Sequence, residues 1–269
     1  MALDEQLIGA LHVSSGARGD RPEAAHRAFQ TSTLTAMLDG AYEGEITFAE
    51  LSGRGDLGIG TLNGCDGEMI ALDGVFLRAD ADGAVTEVPP QARTPFAVLT
   101  RFEPRHRLTL DPAGADGGDF DSITAAIDRR VGAPDIVHAV RVDGAFDLVH
   151  CRSVAKQEPP YRPLAEVLAG QNEFSFERVE GTMAGFRFPN LGLGVGVPGY
   201  HLHFVTAERD RGGHVLGCRW GGGGRSLECA VDDLADLHVE TPPGVEIAGR
   251  RLEQGDIDAL ERDGDARAD

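Results

Sequence analysis

Short apolar runs separated by turn residues make up much of the chain, and they follow one another too closely for long helices. Between residues 57 and 88, three Asp-Gly pairs at positions 66–67, 73–74 and 82–83 divide such runs. An Asp-Gly pair flanked by apolar residues is the strongest short-range signal for a β-hairpin. The pattern therefore predicts a meander of hairpins in this region.

Further strands are predicted along the rest of the chain. Another Asp-Gly pair, Asp143-Gly144, separates apolar runs at 136–142 and 145–152 and predicts a further hairpin. Other short runs, rich in β-branched and aromatic residues, predict strands at 95–102, 174–179, 182–188, 200–206, 214–219, 227–231 and 237–239.

Only a few short helices are predicted. Apolar residues from Leu3 to Leu11 recur at helical spacing, and we interpret the polar stretch after them as a flexible connector. The remaining predicted helices run from a Ser32 or Thr33 cap to about Leu38, from a Thr47 cap to about Leu51, from about Ser122 to Val131, and from Pro163 to Gly170.

Predominant strands without strict strand–helix alternation predict an α+β fold. We expect two β-rich subdomains of mixed or antiparallel sheet with short helices, packed so that a metal site lies between them. The predicted division is an N-terminal extension over 1–27, a first subdomain over 28–143 and a second over 144–269.

Composition and charge narrow the possible partners. The 269 residues are 41% hydrophobic, yet no apolar run approaches the roughly 18 residues of a membrane span. The first residues also lack the basic start of a signal peptide, so we expect a cytoplasmic protein. The net charge of −19 repels phosphate backbones and anionic lipids, which predicts no nucleic-acid or membrane partner. The four widely spaced cysteines predict free thiols.

The stretch His201-Leu202-His203 carries the first candidate chemistry. Side chains alternate along a strand, so the two imidazoles share one face. A charged loop ending in two glycines then leads to His214, which a hairpin brings alongside. A His-x-His pair is a weak signal in a chain with nine histidines, but the third histidine strengthens it. Three neutral nitrogen ligands leave a coordination position open, which is typical of catalytic rather than structural zinc.

Several stretches in order resemble the α-acetolactate decarboxylase family from about Phe29 onward. The matching segments are Phe29-Gln30-Thr31-Ser32-Thr33-Leu34, Gly58-Ile59-Gly60-Thr61-Leu62-Asn63, Asp66-Gly67-Glu68, Arg93-Thr94-Pro95-Phe96-Ala97, Arg152-Ser153-Val154 with Gln157, Pro160-Tyr161-Arg162-Pro163-Leu164, Val179-Glu180-Gly181-Thr182, Pro198-Gly199-Tyr200-His201-Leu202-His203-Phe204 and Gly213-His214-Val215. Residues 1–27 lie outside the resemblance.

The resemblance implies a zinc-dependent enzyme that converts 2-acetolactate into acetoin and carbon dioxide through a metal-stabilised enediolate. It implies that His201, His203 and His214 bind the zinc ion, and that the enzyme is a homodimer. Members of the family also bring a carboxylate from the C-terminal tail into the site. Our choice is Glu261, with Glu253 and Asp263 left open.

The resemblance also implies catalytic roles for Thr61, Glu68 and Arg152. A carboxyl such as Glu68 beside a metal can deliver a proton, although by itself it also fits a hairpin surface. The Arg152 guanidinium can hold the substrate carboxylate or the enediolate oxygens, although it also fits a strand-end salt bridge. Thr61 can offer its hydroxyl to the substrate or merely favour strand geometry.

Two other classes of function fit the same histidines. A zinc hydrolase or isomerase acting on a small hydroxy or keto acid needs a base that activates zinc-bound water. A non-catalytic metal-binding module holds the ion without turnover. A decarboxylase instead needs an anchor for the carboxylate and a proton donor, which Arg152 and Glu68 offer.

Overall fold

The computed structural model describes residues 11–15, 26–112, 117–132, 135–189 and 194–241. Strands dominate this part of the chain, and the helices are few and mostly short, which confirms the predicted α+β class. No helix in these ranges is long and apolar enough to cross a membrane.

The first sheet has eight strands in the order β1-β17-β2-β9-β4-β5-β6-β7. Its pairs are antiparallel except for β1–β17 and β17–β2, which are parallel. The strands are β1 (Leu11–Ser15), β2 (Arg27–Thr31), β4 (Leu57–Thr61), β5 (Glu68–Leu72), β6 (Val75–Ala79), β7 (Val85–Glu87), β9 (Ala97–Thr100) and β17 (Asp236–Thr241). The three predicted Asp-Gly turns join β4 to β5, β5 to β6 and β6 to β7, so the meander is confirmed.

The second sheet has seven strands in the order β10-β16-β12-β13-β14-β15-β11, and all its pairs are antiparallel. The strands are β10 (His106–Leu110), β11 (Gly118–Asp119), β12 (Val137–Ser153), β13 (Asn172–Phe188), β14 (Gly199–Thr206), β15 (Gly212–Trp220) and β16 (Leu227–Leu234). A separate pair joins β3 (Ile46–Thr47) to β8 (Arg93–Thr94).

One strand closes the second sheet on itself. The first part of β12 pairs with β16, and its second part, from Phe146 to Arg152, pairs with β15 along the same edge. Since β13 and β14 connect β12 to β15 on the other side, these four strands form a closed circuit. The predicted hairpin that brings His214 beside the other histidines is confirmed as β14–β15.

The helices are α1 (Leu34–Leu38), α2 (Phe48–Leu51), α3 (Phe120–Val131) and α4 (Leu164–Leu168). The predicted caps are confirmed at Thr33, whose hydroxyl accepts a hydrogen bond from Ala36 N, and at Thr47, which forms a capping box with Glu50. Helix α3 begins at Phe120, two residues before the predicted start at about Ser122, and its N-cap is Asp119.

The hairpin predicted at Asp143-Gly144 is wrong, because β12 runs straight through this pair. The Asp143 carboxylate accepts hydrogen bonds from Arg141 Nε at 2.7 Å and from Thr182 Oγ1 at 2.7 Å. Gly144 allows the Leu227 side chain to approach the backbone of β12, since a Cβ at this position would lie 2.6 Å from Leu227 Cδ2. The glycine marks the place where β12 exchanges β16 for β15 as its partner.

Two further differences concern the ends of elements. The strands predicted at 174–179 and 182–188 are one strand, β13. Most of the helix predicted from Leu3 to Leu11 lies outside the described residues, and residues 11–15 form β1 instead, because they pair with β17. The division into subdomains at 143 and 144 stays a prediction, and β12 crosses that point without interruption.

The two sheets pack face to face through one apolar cluster. Side chains of the first sheet such as Ile59 and Ile70 share this cluster with Ala139 and Phe186 of the second. A second cluster packs α3 on the second sheet through Ile123. The outer face of the first sheet is covered by a third cluster that includes α2.

Close packing between β13 and β14 generates a stability prediction. A Cβ at Gly185 would lie 2.1 Å from the His201 carbonyl oxygen, whereas a Cβ at Gly217 on β15 would meet nothing within 4 Å. We therefore expect Gly185→Ala to reduce the free energy of unfolding by about 1–3 kcal/mol. Gly217→Ala, the control, should change it by less than about 1 kcal/mol. Urea unfolding midpoints measure both, and equal losses would contradict the packing described.

Candidate active site

Three neighbouring strands present the candidate residues side by side. Arg152 on β12 pairs directly with His214 on β15, and His214 pairs with His203 on β14. His201 lies two residues before His203 and therefore on the same face of the strand. Glu68 comes from β5 of the other sheet, where it pairs with Thr61 on β4. The site thus lies where the two sheets face each other.

The three histidines can hold one metal ion. Their candidate ligand nitrogens all lie within 4.8 Å of one another. The Nε2 atoms of His201 and His203 are 3.2 Å apart. Two ligands of a tetrahedral zinc ion, each about 2.0–2.1 Å from the metal, lie roughly 3.3 Å apart. The spacing of these two nitrogens therefore fits a shared ion.

A backbone carbonyl fixes the tautomer of His203. Its Nδ1 lies 2.9 Å from the Met69 carbonyl oxygen, which can only accept a hydrogen bond. Nδ1 therefore carries the proton, and Nε2 keeps its lone pair for a metal. A ligand histidine whose other ring nitrogen donates to a carbonyl is the usual arrangement in metal sites.

Burial keeps the three imidazoles neutral. His203 and His214 are each 1% exposed, and His201 is half-buried. Burial lowers the pKa of His203 to about 3; the hydrogen bond to Met69 opposes this shift, and the Arg152 charge adds to it. Burial also holds the pKa of His201 and His214 well below the ordinary value; His203 and then Arg152 add to the shift at His201, and Arg152 and then the other two imidazoles add to it at His214. Neutral imidazole is the form that binds metal.

Glu68 and Arg152 form a buried ion pair beside the histidines. Arg152 Nη1 donates to Glu68 Oε1 at 3.2 Å, and Glu68 Oε2 lies 3.4 Å from His203 Nε2. Burial raises the pKa of the Glu68 carboxyl, and the Arg152 charge partly opposes that shift. The hairpin-surface alternative for Glu68 is wrong, because this residue is only 7% exposed.

Thr61 is the least available of the predicted catalytic groups. Its hydroxyl donates to the Gly67 carbonyl at 2.7 Å, so only its acceptor lone pairs can face a ligand. Thr61 nevertheless lines a small cavity of about 70 Å³ together with Glu68, Arg152, His201 and His203. The structure therefore brings together every predicted site residue in its described part.

Known proteins resemble this chain over most of its length. Residues 28–254 match the family described as alpha-acetolactate decarboxylase.

The chain belongs to the alpha-acetolactate decarboxylase family.

It is 45% identical over 246 residues to the alpha-acetolactate decarboxylase of Methylococcus capsulatus, a match that covers 90% of this chain and 91% of the relative. It is 39% identical over 233 residues to the Brevibacillus brevis protein of the same name, a match that covers 87% of this chain and 79% of that relative. The crystal structure of alpha-acetolactate decarboxylase from Bacillus subtilis superimposes with a TM-score of 0.80 at 32% identity, covering 88% of this chain and all of that one. The predicted family and enzyme class, a carboxy-lyase, are thereby confirmed.

Some predicted site residues fall outside the described residues, and other parts of the site were not predicted. Glu261, Glu253 and Asp263 lie beyond residue 241, so the predicted C-terminal carboxylate stays a prediction. The carbonyl of Met69 and the apolar part of the cavity lining were not predicted. Neither leaves a signal in the sequence, because every residue has a carbonyl and apolar residues are expected in any core.

The first site prediction concerns metal content. The purified chain should bind about one divalent ion, and His203→Ala should lose it, because the ion then keeps only two nitrogen ligands. The control is His150→Ala on β12, since the His150 ring lies 3.5 Å from Glu173 rather than in the cluster. Metal analysis after exhaustive dialysis measures both variants. Full metal content in His203→Ala would contradict the proposed ligand set.

Proposed function

We propose that this chain decarboxylates 2-acetolactate to acetoin and carbon dioxide, with a zinc ion held by His201, His203 and His214. The observation that carries the proposal is the buried Glu68–Arg152 pair, whose Glu68 Oε2 lies 3.4 Å from His203 Nε2. A cation for the carboxylate and a carboxyl for proton delivery thus stand beside the same metal-binding face. When bound, zinc would supply Lewis-acid stabilisation for negative charge that develops on the substrate oxygens.

The reaction consists of one bond cleavage and one proton transfer. 2-Acetolactate is a 2-hydroxy-3-oxo acid, so the C1–C2 bond can break with its electron pair moving toward the ketone oxygen. Carbon dioxide leaves from C1. A proton must then reach C2, and the ketone is restored as acetoin forms. Because the ketone itself accepts the electron pair, no organic cofactor is needed.

We assign Arg152 the binding of an anionic oxygen of the substrate. Its side chain is 7% exposed, and its charge is therefore weakly screened by water. The planar guanidinium has five N–H donors in a fork, so it can serve Glu68 and a substrate oxygen together. We assign Arg152 to the carboxylate of the ground state or to the oxygens that become charged as carbon dioxide leaves.

We assign the delivery of the proton to C2 to Glu68 in its protonated form. Its Oε1 accepts from Arg152, and its Oε2 faces His203, so both oxygens have fixed directions. A donor held in one direction protonates a planar carbon from one face, which makes the product chiral. We assign Thr61 the lesser role of orienting the substrate through its acceptor lone pairs, and Glu261 the role of the C-terminal carboxylate.

The remaining proposals rest on the family resemblance and on charge. We propose a cytoplasmic homodimer organised as a 1–27 extension and subdomains over 28–143 and 144–269. The net charge of −19 argues against nucleic-acid and anionic membrane partners.

Turnover of fresh racemic 2-acetolactate tests the function. The purified, zinc-loaded chain should release acetoin and carbon dioxide in equal amounts, and His203→Ala should lose this activity together with its metal. Acetoin detection and carbon dioxide capture measure the two products. Bound metal without turnover would favour a binding module, and hydrolysis or isomerisation of a hydroxy or keto acid without release of carbon dioxide would favour the other zinc-enzyme class.

Glu68→Gln tests the proton-delivery role. The amide keeps the size of the side chain but cannot exchange the proton, so turnover should fall by about 10²-fold or more while metal stays bound. The handedness of the acetoin should also become mixed, which chiral chromatography measures. Glu87→Gln on the exposed β7 is the control and should leave rate and handedness unchanged. Near-normal turnover with unchanged enantiomeric purity in Glu68→Gln would remove Glu68 from this role.

A further inference from the structure

Different structural elements contribute polar and apolar residues to the lining of the cavity. Its polar members, which include Glu68, Arg152 and His203, come from strands. Much of its apolar lining comes from two short helices, with Leu34 and Met37 on α1 and Leu164 and Leu168 on α4. Chemistry and shape are thus contributed by separate parts of the fold.

Helical spacing explains why these four side chains face the cavity. Residues three or four positions apart lie on the same side of a helix, and both pairs have this spacing. All four side chains are buried, with exposures between 4% and 8%. They pack in the interior, so their volumes help to set the shape of the cavity.

Hydrogen bonds hold α1 in place. Leu34 N donates to the Val195 carbonyl at 3.1 Å, and Thr35 N donates to the Gly194 carbonyl at 3.1 Å. The fully buried Gln30 donates to the same Val195 carbonyl at 2.6 Å. The segment that contains Gly194 and Val195 continues to Val197, another apolar residue of the cavity lining. Helix α1 therefore has a fixed position relative to the strand that carries His201 and His203.

A small 2-hydroxy-3-oxo acid fits this division. Its carboxylate, hydroxyl and ketone require charged or hydrogen-bonding partners, which the strands offer. Its two alkyl groups have no favourable contact there and gain by leaving water against apolar side chains. We propose that the wall formed by Leu34, Met37, Leu164 and Leu168 receives the alkyl substituents of the substrate and limits their size. This inference rests on the proposed decarboxylase function and extends it to the substrate range.

The small volume of the cavity predicts which alkyl substituent the chain prefers. A space of about 70 Å³ between packed side chains is small enough for one added methylene group to alter the fit. The wild-type chain should therefore prefer 2-acetolactate, with its 2-methyl group, to the homologue with a 2-ethyl group. Shortening a wall residue should relax that preference.

Two leucines on α1 provide a matched test. Leu34 lines the cavity and is 4% exposed, whereas Leu38 is 7% exposed and does not line it. In Leu34→Ala, the ratio of kcat/KM for the ethyl homologue to kcat/KM for 2-acetolactate should rise by roughly tenfold. In Leu38→Ala, which removes the same atoms from the same helix, the ratio should stay within about twofold of the wild-type value. Thermal unfolding midpoints of both variants show whether either substitution lowers the stability of the whole protein.

The second helix gives an independent comparison if Leu34→Ala does not fold. Leu168→Ala should also raise the ratio, and Val167→Ala, on the same helix but outside the lining, should not. If the ratios are equal in wall variants and controls, and the wild type turns over 2-acetolactate normally, the proposed role of the wall is overturned and the proposed function stands. A wild-type chain that turns over neither substrate would overturn both.

Discussion

The candidate site depends on one stretch of strand pairing, in which β14, β15 and β12 lie next to one another in register. This pairing sets His203, His214 and Arg152 in a row across three strands. Hydrogen-bonded neighbours in a sheet are held about 5 Å apart, which is close enough for imidazoles to share an ion. The row exists only because β12 is long enough to pair with β16 first and with β15 afterwards. The closed circuit of strands is therefore a requirement of the chemistry as well as of the fold.

Placing charge in this site carries an energetic cost that function explains better than stability does. The side chains of Glu68 and Arg152 are 9% and 7% exposed, so both charges lose most of their hydration. Buried ion pairs are often no more stable than apolar residues of the same volume, whereas removing one partner typically costs about 3–5 kcal/mol. Three neutral imidazoles nearby add no charge to offset the loss. A positive ion held by those imidazoles would interact favourably with Glu68, and an anionic substrate would interact favourably with Arg152.

Much of this arrangement could be predicted from the sequence where the signal is local. The Asp-Gly turns of the meander, the caps at Thr33 and Thr47, and the hairpin that joins His203 to His214 each depend on a few neighbouring residues. Predictions failed where distant residues decide the outcome. Asp143-Gly144 has the sequence of a turn, but Thr182 and Leu227 from other strands keep it extended. Strand β17 joins the first sheet from the far end of the chain, which no local pattern indicates.

The register of strand β5 links the two sheets and sets the distance between Glu68 and His203. Side chains alternate along β5, so Glu68 and Ile70 face the second sheet, while Met69 packs into the cluster on the outer face. The Met69 carbonyl nevertheless accepts a hydrogen bond from His203 Nδ1, so consecutive residues of β5 position both the Glu68 carboxyl and the His203 imidazole. A shift of one residue would turn Glu68 to the outer face and remove it from the site. Such a shift would put Asp66 or Glu68 at the position of Gly67. A Cβ at that position would lie 2.2 Å from the Ala79 carbonyl oxygen, so the turn opposes the shift. The position of Glu68 therefore depends on a tight turn immediately before it in the sequence.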